Sequence, residues 1–184
     1  MSRIWLALAA LALAGCREGA EANQAAPVAI AAAELPALTG RVVDGADLLS
    51  PAEEQSLSAK SAALQSEIGP QYVVVTVPSL GGRPIEQYGV QLGRRWGIGD
   101  RERNDGLMLI VAPAERMARI EVGYGLEKRV TDPFAAKVLR ERILPRFAKG
   151  DFPAGIAAGS DALIARLRSR ASDAAIAKED MVVQ

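Results

Sequence analysis

The stretch that decides the fold is residues 99–132, GDRERNDGLMLIVAPAERMARIEVGYGLEKRVTD, in which an acidic, glycine-broken loop leads into two apolar segments and a second acidic loop. The apolar segments, residues 107–111 and 117–122, have the composition of β-strands, and the short proline-bearing connection between them suits a hairpin. An antiparallel pair brings the start of its first strand beside the end of its second. Residues 104–106 are therefore expected to lie near residues 123–127.

Segments on either side of the hairpin alternate between strand and helix patterns. Residues 72–77 (YVVVTV) are apolar or β-branched throughout, which is typical of a central strand covered on both faces. Residues 85–96 carry apolar side chains at helical spacing, and Gly97 ends that pattern. Because a helical connection between parallel strands is right-handed, residues 72–77 and 107–111 should lie parallel. The sequence therefore predicts an α/β fold with a mixed sheet.

Three further helices are predicted from caps and apolar stripes. Ser50 and Glu53 form the capping-box pattern that starts a helix, here over residues 51–68. Residues 132–145 carry an apolar stripe, and their helix is expected to stop at the proline that closes the segment. Residues 153–168 form the last amphipathic pattern.

The first residues match an export signal. A positive residue, Arg3, precedes an apolar run over residues 4–13 that is too short to span a bilayer well. The ending LALAGC resembles a bacterial lipoprotein signal, and that resemblance implies cleavage before Cys16 and a lipid on its thiol. The residue after the cysteine is Arg17 and not Asp, and a resemblance to enterobacterial sorting signals slightly favours the outer membrane. The alternative, a buried amino-terminal helix with an incidental cysteine, fits the order of charge and small residues less well.

These patterns divide the chain into four segments. The residues after the cysteine are rich in alanine and show no sustained apolar face, so we interpret them as a tether. After the last predicted helix the apolar pattern fades, and we expect a frayed tail. The predicted segments are a lipoprotein signal peptide (residues 1–15), an alanine-rich tether (16–39), one folded domain (40–168) and the carboxyl-terminal tail (169–184).

Composition excludes several kinds of site. Lys and Arg total 22, as do Asp and Glu, so the formal net charge is zero and no excess positive field is available to hold nucleic acid. Histidine is absent, so nucleophile systems that need histidine are excluded and any metal must be held by oxygens. Gly123-Tyr124-Gly125 does not complete a dinucleotide or phosphate-loop motif, so no nucleotide partner is predicted.

Four short motifs occur in a specific order: WGIGD at residues 96–100, NDG at 104–106, GYGLE at 123–127 and KGD at 149–151. With the strings around them, they resemble the TPM domain family over residues 40–167. That family consists of membrane-associated modules and includes a plant thylakoid-lumen protein. The resemblance implies a three-layer α/β/α sandwich around a mixed, mostly four-stranded sheet. It also implies a divalent-cation site in some members, weak acid phosphatase activity in the plant relative and a link to membrane-protein maintenance.

Five oxygen-bearing residues are candidate ligands for a divalent cation. Hairpin geometry brings their two loops together, and Ca²⁺ takes carboxylate, amide and backbone oxygens from flexible loops. Ca²⁺ is the expected cation, and Mg²⁺ is the second choice. Taken singly, these residues are also typical of turns, a surface charge and a helix cap, so that alternative stays open. The candidates are Asp100, Asn104, Asp105, Glu127 and Asp132.

The predicted function is that of a lipid-anchored TPM domain protein on the periplasmic side of a bacterial membrane. It would bind a divalent cation and serve in the interaction with, or maintenance of, envelope membrane proteins. One alternative is a metal-assisted acid phosphatase, for which no catalytic residue is identified because Ser79, at a strand end, has no visible activating base. A second alternative is a metal-free structural adaptor.

The order of residues before the hairpin differs from the family pattern. The family often has Asp-Asn-Gly at this place, whereas here Asn104 precedes Asp105. Because successive side chains point to opposite sides of a strand, the exchange moves a carboxylate from one side to the other. Four basic residues near these loops could attract phosphate, although such residues are most often simply solvated: Arg116, Arg119, Lys128 and Arg129.

Overall fold

A mixed four-stranded sheet forms the centre of the computed structural model, which describes the backbone of residues 35–182 and the side chains of residues 35–169. The signal peptide, Cys16 and most of the predicted tether lie outside the described residues. The first three strands run parallel to one another, and the last strand pairs antiparallel with the third. In spatial order the strands are β1 (Val42–Asp44), β2 (Gln71–Thr76), β3 (Gly106–Ala112) and β4 (Met117–Val122).

Helices cover both faces of this sheet. On each face the helices pack against the sheet through a separate apolar core, so the predicted α/β/α sandwich is confirmed. Among the described residues, no helix is both long enough and apolar enough to cross a bilayer. The helical elements are α1 (Pro51–Ile68), α2 (Ile85–Trp96), a 3₁₀ turn (Tyr124–Leu126), α3 (Asp132–Val138), a π-helical segment (Leu139–Ile143), α4 (Leu144–Phe147) and α5 (Phe152–Val182).

Strand β3 is buried along its whole length because it divides two apolar cores. Its side chains alternate between the two faces of the sheet, as strand geometry requires. Leu107 and Leu109 pack in the core under α1, α3 and α5, whereas Met108 and Ile110 pack in the core under α2. This two-sided burial explains why the segment is apolar without interruption.

The local predictions for the sheet and for α1 are confirmed. Strand β2 lies parallel to β3, with Val74 opposite Leu109, and β4 returns antiparallel, with Ile120 opposite Leu109. The capping box is complete, since the Ser50 amide donates to the Glu53 carboxylate at 2.8 Å and the Glu53 amide donates to the Ser50 hydroxyl at 3.4 Å. These interactions satisfy amides that have no partner inside the helix.

Two predicted helix ends are wrong. The helical backbone does not stop at Pro145 but continues to Phe147, because a π-helical segment precedes the proline and Pro145 lies in the first turn of α4. At that position the missing proline N–H breaks no hydrogen bond of the helix. The last helix, predicted to end at residue 168, runs on to Val182. Fraying of residues 169–184 stays a prediction.

Candidate functional site

The loop between α2 and β3 is held by a buried carboxylate. Asp105 is 6% exposed, and its two oxygens accept from the Asp100 amide and from Arg103 Nε, each at 2.8 Å. Its carbonyl oxygen accepts from the Gln71 amide at 3.1 Å, which ties the loop to the start of β2. A buried charge needs a partner of this kind, so Asp105 organises the loop from inside.

Asp100 closes the same loop from its outer side. Its carboxylate accepts from the amides of Glu102 at 2.9 Å and Arg103 at 3.0 Å, and its carbonyl oxygen accepts from the Asn104 amide at 2.7 Å. The hydrogen bond from the Arg103 amide, followed by that from Glu102, lowers the pKa of Asp100 below its ordinary value. The side chain is therefore a carboxylate at neutral pH.

The segment after β4 comes into backbone contact with this loop. The Gly123 amide donates to the Gly106 carbonyl at 2.8 Å, and the Gly125 amide donates to the Asn104 carbonyl at 3.1 Å. A Cβ at Gly125 would overlap the carbonyl oxygen of Arg103, so only glycine permits this approach. The predicted proximity of residues 104–106 to residues 123–127 is confirmed.

A cavity of about 430 Å³ opens where these segments meet, bounded also by α2 and β4. Four of the five candidate ligands line it, and all four are exposed to solvent. Glu127 follows the 3₁₀ turn, and Asp132 begins α3, where its preceding residue, Thr131, caps the helix. The structure therefore brings Asp100, Asn104, Glu127 and Asp132 to one cavity.

Asp105, the fifth candidate, does not line the cavity. Asn104 adopts a left-handed backbone conformation, with φ of 49°, which asparagine tolerates better than most residues. Asn104 lines the cavity, whereas the Asp105 carboxylate is buried and bonds to Arg103. The order Asn-Asp therefore decides which of the two residues lines the cavity.

The donor atoms at the cavity are of the type that a hard cation prefers. In the part of the chain that the structure describes, the carboxylates of Glu127 and Asp132 take part in no hydrogen bond or ion pair, so both are available. No group of three acidic side chains among residues 35–169 is already close enough to hold a metal ion. The residues fit a divalent cation in their chemistry, and they surround the cavity without converging on one point.

Charged residues that sequence reasoning did not place also line the cavity. Arg94 and Arg101 come from the end of α2 and the loop after it, and Glu121 comes from β4 beside the anticipated Arg119. Arg119 Nε donates to Glu121 at 2.7 Å, so this pair is already neutralised. The alternation of strand side chains could have placed Glu121 with Arg119 on one face, but no local pattern indicates that Arg94 faces the same cavity.

The other candidate phosphate-attracting residues do not line the cavity. Arg116 occupies the hairpin turn in a left-handed conformation, with φ of 55°, and Lys128 is exposed. Arg129 donates to the Leu167 carbonyl and accepts from Arg166 Nε through its own carbonyl at 2.9 Å, so it joins its loop to α5.

Ser79 lies at the opposite end of the sheet and has an acidic partner. Its hydroxyl donates to the Glu115 carboxylate at 2.6 Å, and the Leu80 amide donates to the same oxygen at 2.8 Å. Burial alone would raise the pKa of Glu115, but the hydrogen bonds from Ser79 and Leu80 outweigh it and hold the pKa below its ordinary value. A carboxylate with a lowered pKa is a poor general base, so this contact ties a loop to the hairpin turn.

The fold and the cavity together define a small α/β/α sandwich domain with a cavity of mixed charge at the base of a β-hairpin. The sequence profile of the TPM domain family matches residues 42–166, so the chain belongs to that family. No curated protein sequence gives a significant match.

Solved structures share the fold. The amino-terminal domain of a Porphyromonas gingivalis protein is 34% identical, with a TM-score of 0.67, and the match covers 72% of this chain and 84% of that one. The amino-terminal domain of the Corynebacterium glutamicum protein cg2496 is 16% identical, with a TM-score of 0.55 and coverages of 73% and 84%. The BA42 protein of Bizionia argentinensis is also 16% identical, with a TM-score of 0.58 and coverages of 67% and 83%.

Proposed function

We propose that this chain is a lipid-anchored periplasmic TPM domain protein that binds a divalent cation, Ca²⁺ first, and serves as an interaction or maintenance module for envelope membrane proteins. The observation that carries the proposal is the gathering of Asp100, Asn104, Glu127 and Asp132 around one cavity. Oxygen donors from separate loops are the ligands that Ca²⁺ accepts, and the exposed cavity gives the ion direct access.

A cation bound in the cavity would link the side chains of two segments that otherwise contact each other through backbone hydrogen bonds. Asp100 and Asn104 belong to the loop before β3, whereas Glu127 and Asp132 follow β4. A site built from exposed side chains of separate loops belongs to the weak class of calcium sites, with Kd of about 10⁻⁴ to 10⁻³ M. The bound ion would order the surface that a partner protein meets, so cation and partner binding would be coupled.

Calcium titration of the full-length chain in detergent tests the site. We expect saturable binding by calorimetry and an increase in the free energy of unfolding of about 2.7 kcal/mol at a calcium concentration of 100 times Kd. Glu127→Gln and Asp132→Asn should each raise Kd about tenfold, since each removes one charged ligand, a loss of roughly 1.4 kcal/mol. Both side chains are exposed and unpaired in the described part of the chain, so neither change should unfold the domain.

Glu102→Gln is the matched control for that titration. Glu102 is exposed in the same loop and does not line the cavity, so its removal alters the local charge without removing a predicted ligand. If Glu102→Gln weakens calcium binding as much as Glu127→Gln and Asp132→Asn do, calcium responds to the overall negative charge of the loops and not to a specific site. If neither Ca²⁺ nor Mg²⁺ binds, the cation proposal is wrong and the metal-free adaptor takes its place.

Lipid attachment is tested by Cys16→Ser. Without the thiol no lipid can be attached, and the protein should move from the membrane fraction to the soluble periplasmic fraction or stay as uncleaved precursor. Trp96 Nε1 donates to the Pro36 carbonyl at 2.9 Å, so the predicted tether would enter the domain beside the end of α2. Unchanged membrane retention and an unchanged mass on Cys16→Ser would contradict the lipid.

A metal-assisted phosphomonoesterase is the second candidate, favoured by Arg94 and Arg101 on the cavity wall. A bound divalent cation supplies polarisation of a phosphoryl oxygen or a more acidic water, and the two guanidinium groups would hold the phosphate. Turnover of p-nitrophenyl phosphate that is lost in Glu127→Gln would favour this enzyme. Turnover that is unchanged in the variant would remove the cavity from catalysis.

A further inference from the structure

Strand β4 has a free edge. The Gly123 amide donates to the carbonyl of Gly106, the residue directly opposite in the hairpin register. Backbone groups of antiparallel strands point alternately toward and away from the neighbour, so Arg119 and Glu121 also bond to β3. Ala118, Ile120 and Val122 therefore turn their N–H and C=O groups away from the sheet.

These outward groups have no partner in the backbone of residues 35–182 or among the side chains of residues 35–169. Strand β4 is the last in the sheet order, and no hydrogen bond outside the β3–β4 ladder uses the backbone of Ala118, Ile120 or Val122. The strand contains no proline, and its neighbouring charges are paired with each other. An edge strand without such protection is a template for the addition of another strand.

The sequence of β4 is complementary to itself. When two copies pair antiparallel with Ile120 opposite Ile120, Arg119 of one copy faces Glu121 of the second, and the reverse pair forms at the same time. In the same register Ala118 faces Val122, and the outward N–H and C=O groups of both strands meet with about six hydrogen bonds. A register shifted by one residue cannot form these hydrogen bonds. It would place backbone groups that already bond to β3 opposite the outward N–H and C=O groups of the second copy.

Both faces of such a pair match the layers of the domain. Arg119 and Glu121 lie on the side of α2, where a Cβ at Gly89 would contact both side chains. Ile120 belongs to the core on the other side, and Ala118 and Val122 pack partly buried against that core. Pairing would therefore continue a charged row on one face and an apolar row on the other, without placing a charge in an apolar layer.

From this complementarity we propose that a second copy of this chain docks on β4, through antiparallel pairing centred on Ile120, and forms a continuous eight-stranded sheet. The interface is isologous, as a two-fold dimer requires. Arg119, Ile120, Glu121 and Val122 also line the cavity, so the second copy would border the cavity along the strand. The dimer does not depend on cation binding and stands apart from the proposed function.

Substitutions that reverse the charges of Arg119 and Glu121 test whether the dimer forms through β4. The full-length chain in detergent should sediment as a dimer whose fraction rises with protein concentration. Arg119→Glu and Glu121→Arg each turn both cross-strand pairs into like charges, and each should raise the dimer Kd about tenfold or more. The double exchange R119E/E121R should restore pairing, and an equimolar mixture of the two single variants should form the heterodimer.

Three controls separate pairing from folding. Lys60→Glu disturbs an exposed ion pair on α1, which packs on β1 and β2 at the other edge of the sheet, and should leave the dimer unchanged. Ala118→Pro removes an outward N–H that bonds nothing in the monomer and should abolish the dimer. Thermal unfolding of each variant shows that the monomer is intact. A wild-type protein that stays monomeric at all concentrations overturns the proposal, as do single exchanges with unchanged Kd or an Ala118→Pro variant that still dimerises.

Discussion

Gly125→Ala is expected to lower the free energy of unfolding by about 2 to 3 kcal/mol and to remove calcium binding at the cavity. The added Cβ would overlap the backbone oxygen of Arg103, and backbone atoms cannot give way as the end of a side chain can. The loop before β3 must therefore move away from residues 123–127, and the hydrogen bond from the Gly125 amide to Asn104 is lost. Asp100 and Asn104 would then separate from Glu127 and Asp132.

Urea unfolding and calcium calorimetry on the same variant measure the two parts of that result. Gly40→Ala is the control, because a Cβ there would meet only ordinary contact, with the Val42 carbonyl oxygen at 3.8 Å. A Gly125→Ala protein with wild-type stability would mean that the loop moves at no cost. A variant that is destabilised but binds calcium with unchanged Kd would show that the close approach is structural and that the ligands do not need it.

Leu109→Ala is expected to lower the free energy of unfolding by about 3 to 4 kcal/mol without changing the calcium Kd of the folded protein. Leu109 lies at the centre of β3, is fully buried and belongs to the core that joins the sheet to α1, α3 and α5. Removing its side chain loses the transfer free energy of the buried atoms and leaves a cavity that a rigid sheet cannot close. The loss concerns the core and not the loops that carry the ligands.

The matched control is Leu144→Ala in α4, since that leucine is 41% exposed. Chemical denaturation should show a loss below about 1 kcal/mol for it, in agreement with the smaller area removed from water. Comparable losses for both variants would contradict the position of β3 between two cores. A changed calcium Kd in Leu109→Ala would show that the core and the cavity are coupled.

Together, Gly125→Ala and Leu109→Ala separate the stability of the fold from the binding of the cation. Gly125→Ala acts where the backbone of two loops meets, whereas Leu109→Ala acts at the centre of the core. A protein in which the first variant loses binding and the second loses only stability would place cation binding in the loop contact itself. That result would support the proposed function independently of the individual ligand substitutions.

The candidate site could be predicted from sequence in part. Antiparallel geometry was sufficient to bring residues 104–106 beside residues 123–127, and the backbone hydrogen bonds confirm that prediction. The inward direction of Asp105 could not be predicted, because it depends on a left-handed residue at Asn104 and on the position of Arg103. Such loop conformations have no period that a sequence pattern could reveal.

The helix ends show a similar division. The start of α1 was evident because Ser50 and Glu53 bond within one turn, where sequence distance and spatial distance agree. The continuation through Pro145 was missed, since the π-helical segment that accommodates it depends on how α3 and α4 pack against α5. The apolar pattern alone indicated a stop.

By itself, the sequence determined the alternation of strands and helices, the β3–β4 hairpin, the capping of α1 and the meeting of two acidic loops. These features depend on residue period, on caps and on short connections, all of which act over a few residues. Only the tertiary structure decided that β1 lies beside β2, that Asp105 faces inward, that Arg94 and Arg101 reach the cavity and that β4 keeps a free edge. Those features depend on which distant segments pack together, and long-range packing leaves no local pattern in the chain.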